Sequence, residues 1–229
     1  MTSPDNLYHK ATHLKATWTR HCNRVVFISS VEDTDFPAIG IGGKEGKDFL
    51  WVKTRRSLQY LYKNHFTHAD WFLKADDDTF VVLENLRYFL ADKDPNRPVY
   101  YGRHFKTYTN KEGYMSGGAG YVMSKAALKK IVTESLTDPE ICPSEEAVDQ
   151  YPGIAEDIAV GYCMEVVNVT AGDTRDSRGR ERFHPLSPVE LLDPYFLPAT
   201  NYWLWDYAYY TPSLKVRLRL RIRQNKIIF

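Results

Sequence analysis

The chain has 229 residues, of which 43% are apolar and 14% aromatic, an ordinary composition for a globular protein. That length can bury one sizeable core, so we expect one domain rather than two. The formal net charge is +1, but six basic residues follow the last acidic residue, Asp206, and the preceding chain is mildly acidic. This balance argues against a nucleic-acid surface, and the sequence has no apolar run long enough to predict a membrane span.

The first third of the sequence alternates helical and strand-like segments. Residues 10–20 favour a helix, and the β-branched run at 24–29 (RVVFIS) favours a buried strand. Residues 33–46 hold one proline and four glycines, so they predict a loop before a long helix over residues 47–65. We expect the inward side of that helix to carry Trp51, Leu58, Leu61 and Tyr62.

The middle of the chain contains short apolar segments with abrupt ends. Residues 70–75 (DWFLKA) predict a strand that stops at three aspartates, and residues 83–91 resume helical spacing. Residues 99–102 are strand-like, and residues 114–120 (YMSGGAG) predict a glycine-rich connection. Ser124 is expected to cap a helix that runs to about residue 134.

The last part predicts a helix over residues 156–164, a strand over 165–169 and then an aromatic block over 195–210. Because strands and helices alternate along the chain, the sequence predicts an α/β fold.

The three consecutive aspartates, Asp76, Asp77 and Asp78, are the first indication of chemistry. Like charges at this range raise one another's pKa unless a cation neutralises them. Oxygen-only ligation suits Mg²⁺ or Mn²⁺, which usually takes one or two carboxylates together with substrate phosphates. A solvated turn or a helix N-terminus explains most acidic triplets, so that alternative stays open at this point.

Three longer blocks of sequence resemble the core 1 β1,3-galactosyltransferase family. They are DWFLKADDDTFVVLENLRYFL, GYMSGGAGYVMSKAAL and EDIAVGYCMEVVNVTAGDTRDSRGRERFHP, and weaker similarity joins them over residues 2–212. The resemblance implies a GT-A fold with a mixed, mainly parallel sheet flanked by helices. It also implies a UDP-galactose donor, Mn²⁺, and an acceptor GalNAc α-linked to serine or threonine of glycoproteins.

Site residues carry over from the family position by position. Asp76 and Asp78 match the metal ligands, and Asp76 and Asp77 lie beside the nucleotide. Glu156 and Asp157 match the catalytic acidic pair, in which Asp157 is the general base of an inverting transfer. Without the family, an acidic pair in a first helical turn would be a capping feature.

Other matched positions line the substrates. Gly117 and Gly118 lie beside the galactose, and Trp203 and Trp205 fall in the part of the family that contacts the acceptor, although most such aromatic residues belong to a core. Nucleotide-pocket positions are matched by Thr2, Trp18 and Lys53.

The two ends depart from the family pattern. The family domain begins with an apolar strand and ends beyond a metal-binding histidine, and neither has a match here. We therefore expect a catalytic domain over residues 1–212 lacking the first strand, and an atypical basic tail over residues 213–229. His104 and His184 are the possible substitutes for the missing ligand, although a structural role is the simpler explanation for each.

Two other functions stay open beside galactosyl transfer. One is a catalytically impaired, truncated isoform that binds the full-length enzyme or its chaperone, and the other is a fringe-like β1,3-N-acetylglucosaminyltransferase. A homodimer is also possible, and no nucleic-acid partner is expected. The family resemblance implies a type II protein of the Golgi membrane or lumen, although these 229 residues contain no recognisable anchor or signal.

Three cysteines are too scattered for a zinc site. By comparison with the family, Cys142 and Cys163 are expected to pair with each other, and Cys22 is expected to be left without its partner. One N-glycosylation sequon, Asn168-Val169-Thr170, has meaning only in a secretory compartment, and chance alone accounts for most such tripeptides.

Overall fold

A computed structural model describes residues 1–106, 111–192 and 203–210 of the chain. The predicted domain boundary at residue 212 and the basic tail at 213–229 lie outside these residues. Within them, no helix is long and apolar enough to cross a membrane.

The chain alternates short strands with helices, as an α/β fold requires. The strands are β1 (Phe27–Ser29), β2 (Ala38–Gly40), β3 (Trp71–Lys74), β4 (Val99–Gly102), β5 (His104–Phe105), β6 (Tyr114–Met115), β7 (Tyr121–Ser124) and β8 (Thr170–Ala171). The α-helices are α1 (Thr12–Ala16), α2 (Leu50–His65), α3 (Leu83–Leu90), α4 (Lys125–Lys130), α5 (Glu145–Gln150), α6 (Glu156–Val166), α7 (Pro188–Leu192) and α8 (Trp203–Asp206). Several of the helices are extended by single 3-10 or π turns, such as Trp18–His21 after α1 and Ile131–Ser135 after α4.

The main sheet has four strands in the order β3-β7-β4-β8. β7 runs antiparallel to both neighbours, whereas β4 and β8 are parallel. Two smaller pairs complete the described sheet structure, with β1 parallel to β2 and β5 antiparallel to β6. The mixed α/β architecture is confirmed, although antiparallel pairs outnumber the expected parallel ones among the described strands.

Side chains alternate between the two faces of the main sheet, and each face builds its own core. Tyr100, Tyr121 and Met123 pack on the face covered by α2, α4 and α6, together with Trp51, Leu58, Leu128 and Val160. Tyr101 and Val122 point to the opposite face, where α3 supplies Phe89 and Leu90. Both faces of the sheet are therefore covered, and the ends of its strands remain as the place for a site.

The N-terminal residues join the small β1–β2 sheet to the end of β3. The amide of Thr2 donates to the carbonyl of Ile28 in β1, and the Met1 nitrogen donates to the carbonyl of Ala75 just after β3. This places residue 2 directly beside the aspartate triplet.

Most predicted elements are confirmed. The long helix begins with a 3-10 turn at Lys47–Phe49 and continues as α2, and the strand before the aspartates is β3. The Ser124 hydroxyl accepts from the Ala127 amide and caps α4 as predicted. Cys142 and Cys163 form the expected disulfide, and Cys22 is free.

Three predictions of local structure are wrong. The first two residues of the predicted connection at 114–120 form β6, because Tyr114–Met115 pairs with β5. The loop at 33–46 contains β2, because Ala38–Gly40 finds a parallel partner in β1. The predicted strand at 165–169 is not one, because α6 continues to Val166 and Asn168 adopts a left-handed backbone with φ of 55°. The strand that follows is β8, one residue beyond the predicted segment.

Candidate active site

The aspartate triplet lies at the carboxyl end of β3, where ligands bind in open α/β sheets. A tight turn follows the strand, in which the Thr79 hydroxyl accepts from the Asp76 amide at 3.1 Å and the Thr79 amide donates to the Asp76 carbonyl at 3.2 Å. Asp76 and Asp77 are partly buried, whereas Asp78 is exposed and pairs with none of the residues that the structure describes. The turn therefore presents three carboxylates in three different environments.

Four residues predicted to lie near the nucleotide come together around this turn. The Thr2 hydroxyl donates to Asp77 Oδ2 at 2.9 Å, and the Lys53 ammonium donates to the Thr2 carbonyl at 2.8 Å. Trp18 is buried and donates through its indole Nε1 to the Thr79 carbonyl at 3.0 Å. The structure thus gathers Thr2, Trp18 and Lys53 with Asp77, although their positions span 75 residues of sequence.

A buried lysine connects the triplet to the second acidic pair. Lys74 is the last residue of β3 and stands directly opposite Tyr121 of β7 in the strand register. Side chains of directly paired residues lie on the same face of a sheet, here the face covered by α6. Lys74 Nζ lies 2.8 Å from Asp76 Oδ2 and 3.7 Å from Glu156 Oε2, and its side chain is only 11% exposed. Burial alone would lower the pKa of Lys74, but the charges of Glu156 and Asp76 outweigh it and raise the pKa, so Lys74 is a cation at neutral pH.

Glu156 is the buried member of the acidic pair at the start of α6. Its Oε1 accepts from the Tyr121 hydroxyl at 2.6 Å and from the Thr54 hydroxyl at 2.9 Å, while Oε2 faces Lys74. Burial raises the pKa of this carboxyl, against the opposing effects of the Lys74 charge and the Tyr121 hydrogen bond. Glu156 therefore ties a strand residue, a helix residue and the lysine together.

Asp157 is the half-buried member of the same pair. Its Oδ2 accepts from the Gly117 amide and its Oδ1 from the Ile158 amide, each at 3.0 Å. A Cβ atom at Gly117 would lie 2.8 Å from Glu156 Oε2, so a larger residue would displace the buried Glu156 carboxylate or hold the loop farther from the pair. The YMSGGAG loop and the acidic pair are thus joined by a direct hydrogen bond.

Helix α6 lies against the β5–β6 hairpin through a second glycine. A Cβ at Gly161 would stand 2.4 Å from the Tyr114 Cβ, a distance that no side chain tolerates. The close contact fixes the position of α6, and with it the position of its first turn, relative to the hairpin that leads into Gly117.

The remaining predicted substrate residues lie around this hairpin. A Cβ at Gly118 would be 3.7 Å from the Pro185 carbonyl, an ordinary contact with open space on its other sides. Trp203 and Trp205 lie on α8 and are half-buried, and the Trp203 ring is centred 5.9 Å from the Phe105 ring. The backbone after α8 pairs with β5, since Lys106 donates to the Tyr207 carbonyl at 2.8 Å.

Neither of the two histidines considered as metal ligands joins the aspartates in a group of possible ligands within the described residues. His104 is buried, its Nε2 meets the Glu112 carbonyl, and its ring stacks on Tyr209 at 3.9 Å. His184 is exposed. No three potential ligating side chains of histidine, cysteine or acidic type come together within the described residues.

Three residues of the site escape the sequence reasoning, namely Lys74, Tyr121 and Thr54. The one available signal is the lysine inside the apolar run DWFLKA, because a buried lysine needs a carboxylate partner. Tyr121 and Thr54 carry no such signal, since each lies in an ordinary core segment and meets Glu156 only through the tertiary fold.

The fold and the site together define an α/β domain of the GT-A class, with carboxylates gathered at the end of a strand. The chain belongs to the Fringe-like family, whose model matches residues 5–200.

Similar proteins are glycosyltransferases. The chain is 45% identical over 210 residues to glycoprotein-N-acetylgalactosamine 3-beta-galactosyltransferase 1 of Xenopus laevis, covering 92% of this chain and 56% of that protein. It is 24% identical over 197 residues to a mouse beta-1,3-glucosyltransferase, covering 84% of this chain and 37% of that protein. It is 25% identical over 183 residues to mouse chondroitin sulfate synthase 3, covering 72% of this chain and 20% of that protein. The family resemblance read from the sequence is confirmed, and the chain spans about half the length, or less, of these relatives.

Proposed function

We propose that this chain is the catalytic domain of an inverting glycosyltransferase that moves galactose from UDP-galactose to the 3-hydroxyl of GalNAc α-linked to serine or threonine. The observation that carries the proposal is the Lys74 bridge, by which we mean the ion pairs of Lys74 with Asp76 and with Glu156. Through these contacts the aspartate triplet and the Glu156–Asp157 pair lie side by side. The identities of sugar and acceptor rest on the frog relative, whose name describes transfer of galactose to the 3-position of N-acetylgalactosamine.

Asp157 is the general base in this proposal. Each of its oxygens accepts one backbone hydrogen bond, and a carboxylate oxygen has a second lone pair with which to accept the incoming hydroxyl. Glu156 is unsuited to that task, because it is buried and its oxygens already face Tyr121, Thr54 and Lys74. An inverting transfer needs one carboxylate to take the acceptor proton on the face opposite the leaving group.

The triplet binds the donor diphosphate in this proposal. Oxygen donors on Asp76 and Asp78 fit a hard divalent cation such as Mn²⁺ that takes its other ligands from phosphates and water. Asp76 uses Oδ2 for Lys74, which leaves Oδ1 for the ion, and Asp78 is exposed. When bound, the ion offsets the negative charge that develops on the departing UDP.

The other predicted residues take positions around these two groups. Thr2, Trp18 and Lys53 surround the triplet and form the nucleotide side, with Asp77 held by Thr2. We place galactose at Gly117 and Gly118 and the acceptor near Trp203 and Trp205. By resemblance to the family, we propose that this domain acts in the Golgi lumen.

The test is a transfer assay with UDP-galactose, Mn²⁺ and a GalNAc-threonine peptide. We expect UDP release and a disaccharide product from the wild-type chain, and a loss of about 10²- to 10⁴-fold in Asp157→Asn, the range for a removed general base. Asp149→Asn makes the same chemical change on an exposed residue of α5 and is expected to retain full activity.

Parallel assays with UDP-GlcNAc and UDP-glucose separate the alternatives. A preference for UDP-GlcNAc would identify a fringe-like N-acetylglucosaminyltransferase instead. No transfer with any donor, from a folded chain that co-purifies with a full-length transferase, would identify a binding partner instead.

A further inference from the structure

The sequon Asn168-Val169-Thr170 follows the end of α6, in a conformation that turns its two chemically important residues outward. Asn168 and Thr170 are exposed, whereas Val169 between them is 1% exposed and packs in the main core. Within the residues that the structure describes, the Asn168 carboxamide and the Thr170 hydroxyl make no hydrogen bond. Neither polar group of the sequon is therefore used by the fold around it.

The backbone around Asn168 forms a Schellman motif. The Asn168 amide donates to the Glu165 carbonyl and the Val169 amide donates to the Met164 carbonyl, each at 2.9 Å. These are the two hydrogen bonds that close such a helix end, and Asn168 occupies the left-handed position with φ of 55°. Val169 packs with Met164 in the same core cluster, the apolar contact that accompanies the motif. The helix end is thus held by its backbone and by Val169, which leaves the Asn168 side chain free for modification.

A second, independent observation concerns the compartment. Cys142 and Cys163 form a disulfide although both are almost fully buried. Structural disulfides form and persist in oxidising compartments such as the endoplasmic reticulum, which is also where sequons are glycosylated. The fold therefore indicates passage through the compartment in which the sequon has meaning.

We infer that Asn168 is an N-glycosylation site. The carboxamide nitrogen of Asn168 forms a bond to the anomeric carbon of a lipid-diphosphate-linked oligosaccharide, the lipid diphosphate leaves, and the amide gives up one proton. The inference does not depend on the proposed transfer reaction.

The place of Asn168 in the fold keeps such a glycan away from the candidate active site. Asp157 is in the first turn of α6 and Asn168 lies beyond its last turn. At about 1.5 Å per residue the 11-residue helix separates its two ends by about 16 Å. We therefore expect a glycosylated chain and a deglycosylated chain to be equally active in the transfer assay.

The experiment expresses the chain in animal cells behind a cleavable secretory leader and examines the total lysate and the medium. Since glycosylation accompanies translocation, the lysate reports it even if the folded chain is retained. We expect one mobility shift that peptide N-glycosidase removes, with aspartate found at position 168 by tandem mass spectrometry after the treatment.

Three variants separate modification from a purely structural role of these residues. Asn168→Gly keeps the left-handed backbone and Thr170→Val keeps a β-branched strand residue, and both are expected to lose the shift. Thr170→Ser preserves the sequon and is expected to retain it. An unshifted wild-type chain in both lysate and medium, or a shift that persists in Asn168→Gly, would overturn the inference.

Discussion

Replacing Lys74 with methionine removes the cation that lies between Asp76 and Glu156 while keeping a flexible side chain of similar length. At an effective dielectric constant of about 20, the two attractions amount to about 6 and about 4.5 kcal/mol for the separations of 2.8 and 3.7 Å. Desolvation of Lys74 and Glu156, and in part of Asp76, opposes these energies. Deleting one partner of a buried ion pair nevertheless costs about 3–5 kcal/mol of stability, and we expect a loss of this size in Lys74→Met.

The matched control is Lys44→Met. Lys44 also lies 2.8 Å from a carboxylate, Asp149, but both side chains are about two-thirds exposed. An exposed pair of this kind contributes at most about 1 kcal/mol. The two variants therefore make the same chemical change at the same separation and differ in burial.

The measurement is urea unfolding followed by tryptophan fluorescence, with the slope of the transition checked for constancy. A double-mutant cycle adds Glu156→Gln, which keeps an acceptor for Tyr121 and Thr54 and removes the charge that Lys74 neutralised. We expect the double variant to be more stable than Lys74→Met alone, with a coupling energy of about 1–3 kcal/mol. If Lys74→Met were no more destabilising than Lys44→Met and the coupling were zero, the lysine bridge would have no energetic role.

Three further predictions concern other parts of the molecule. Burial lowers the pKa of His104, so the unfolded chain binds a proton there first, and the contribution of His104 to stability is lost as pH falls below about 6.5. Between pH 5 and 6.5 the free energy of unfolding then rises with pH by at most about 1.4 kcal/mol per pH unit through His104 alone. We expect this contribution to be absent in His104→Phe when the free energy of unfolding is measured across that range. The Cys142–Cys163 disulfide closes a loop of 21 residues, so the double replacement by serine should lower the free energy of unfolding by about 3 kcal/mol, and an unchanged urea midpoint would contradict this. Gly117→Ala brings a methyl group against Glu156, and we expect it to reduce transfer in a chain that circular dichroism shows to be folded, whereas full activity of the folded variant would contradict this.

Much of the fold can be predicted from the sequence because local signals and packing agree. The periodic apolar residues of α2 and the Ser124 cap of α4 act within a few residues of themselves. The prediction fails at residues 165–169, where β-branched valines suggest a strand. There α6 runs on to Val166, because its end requires a residue that tolerates a left-handed backbone, and Asn168 is the first to provide one.

The site is predictable only in part, for a related reason. Each aspartate of the triplet can be recognised from its neighbours in sequence. The role of Lys74 depends on the register that sets it opposite Tyr121 and on the helix that brings Glu156 above both. A shift of one residue in that register would turn Lys74 to the other face of the sheet, so its partners follow from tertiary structure rather than from the pattern DWFLKA.

Charge pairing also bears on how a nucleotide sugar would enter this site. Lys74 is paired with Asp76 and Glu156, Lys53 with Glu45, and Lys10 lies 3.6 Å from Asp77. A diphosphate arriving on these three lysines would compete with a carboxylate at each, and it would meet the carboxylate charge of the triplet as well. Under the proposed function the donor is therefore favoured when it arrives with a divalent cation, because the exposed Asp78 and the open oxygen of Asp76 are then attractive to it. The lysines then keep the carboxylates in place rather than binding phosphate, which is why the bridge at Lys74, and not the triplet alone, is the feature on which the geometry of the site depends.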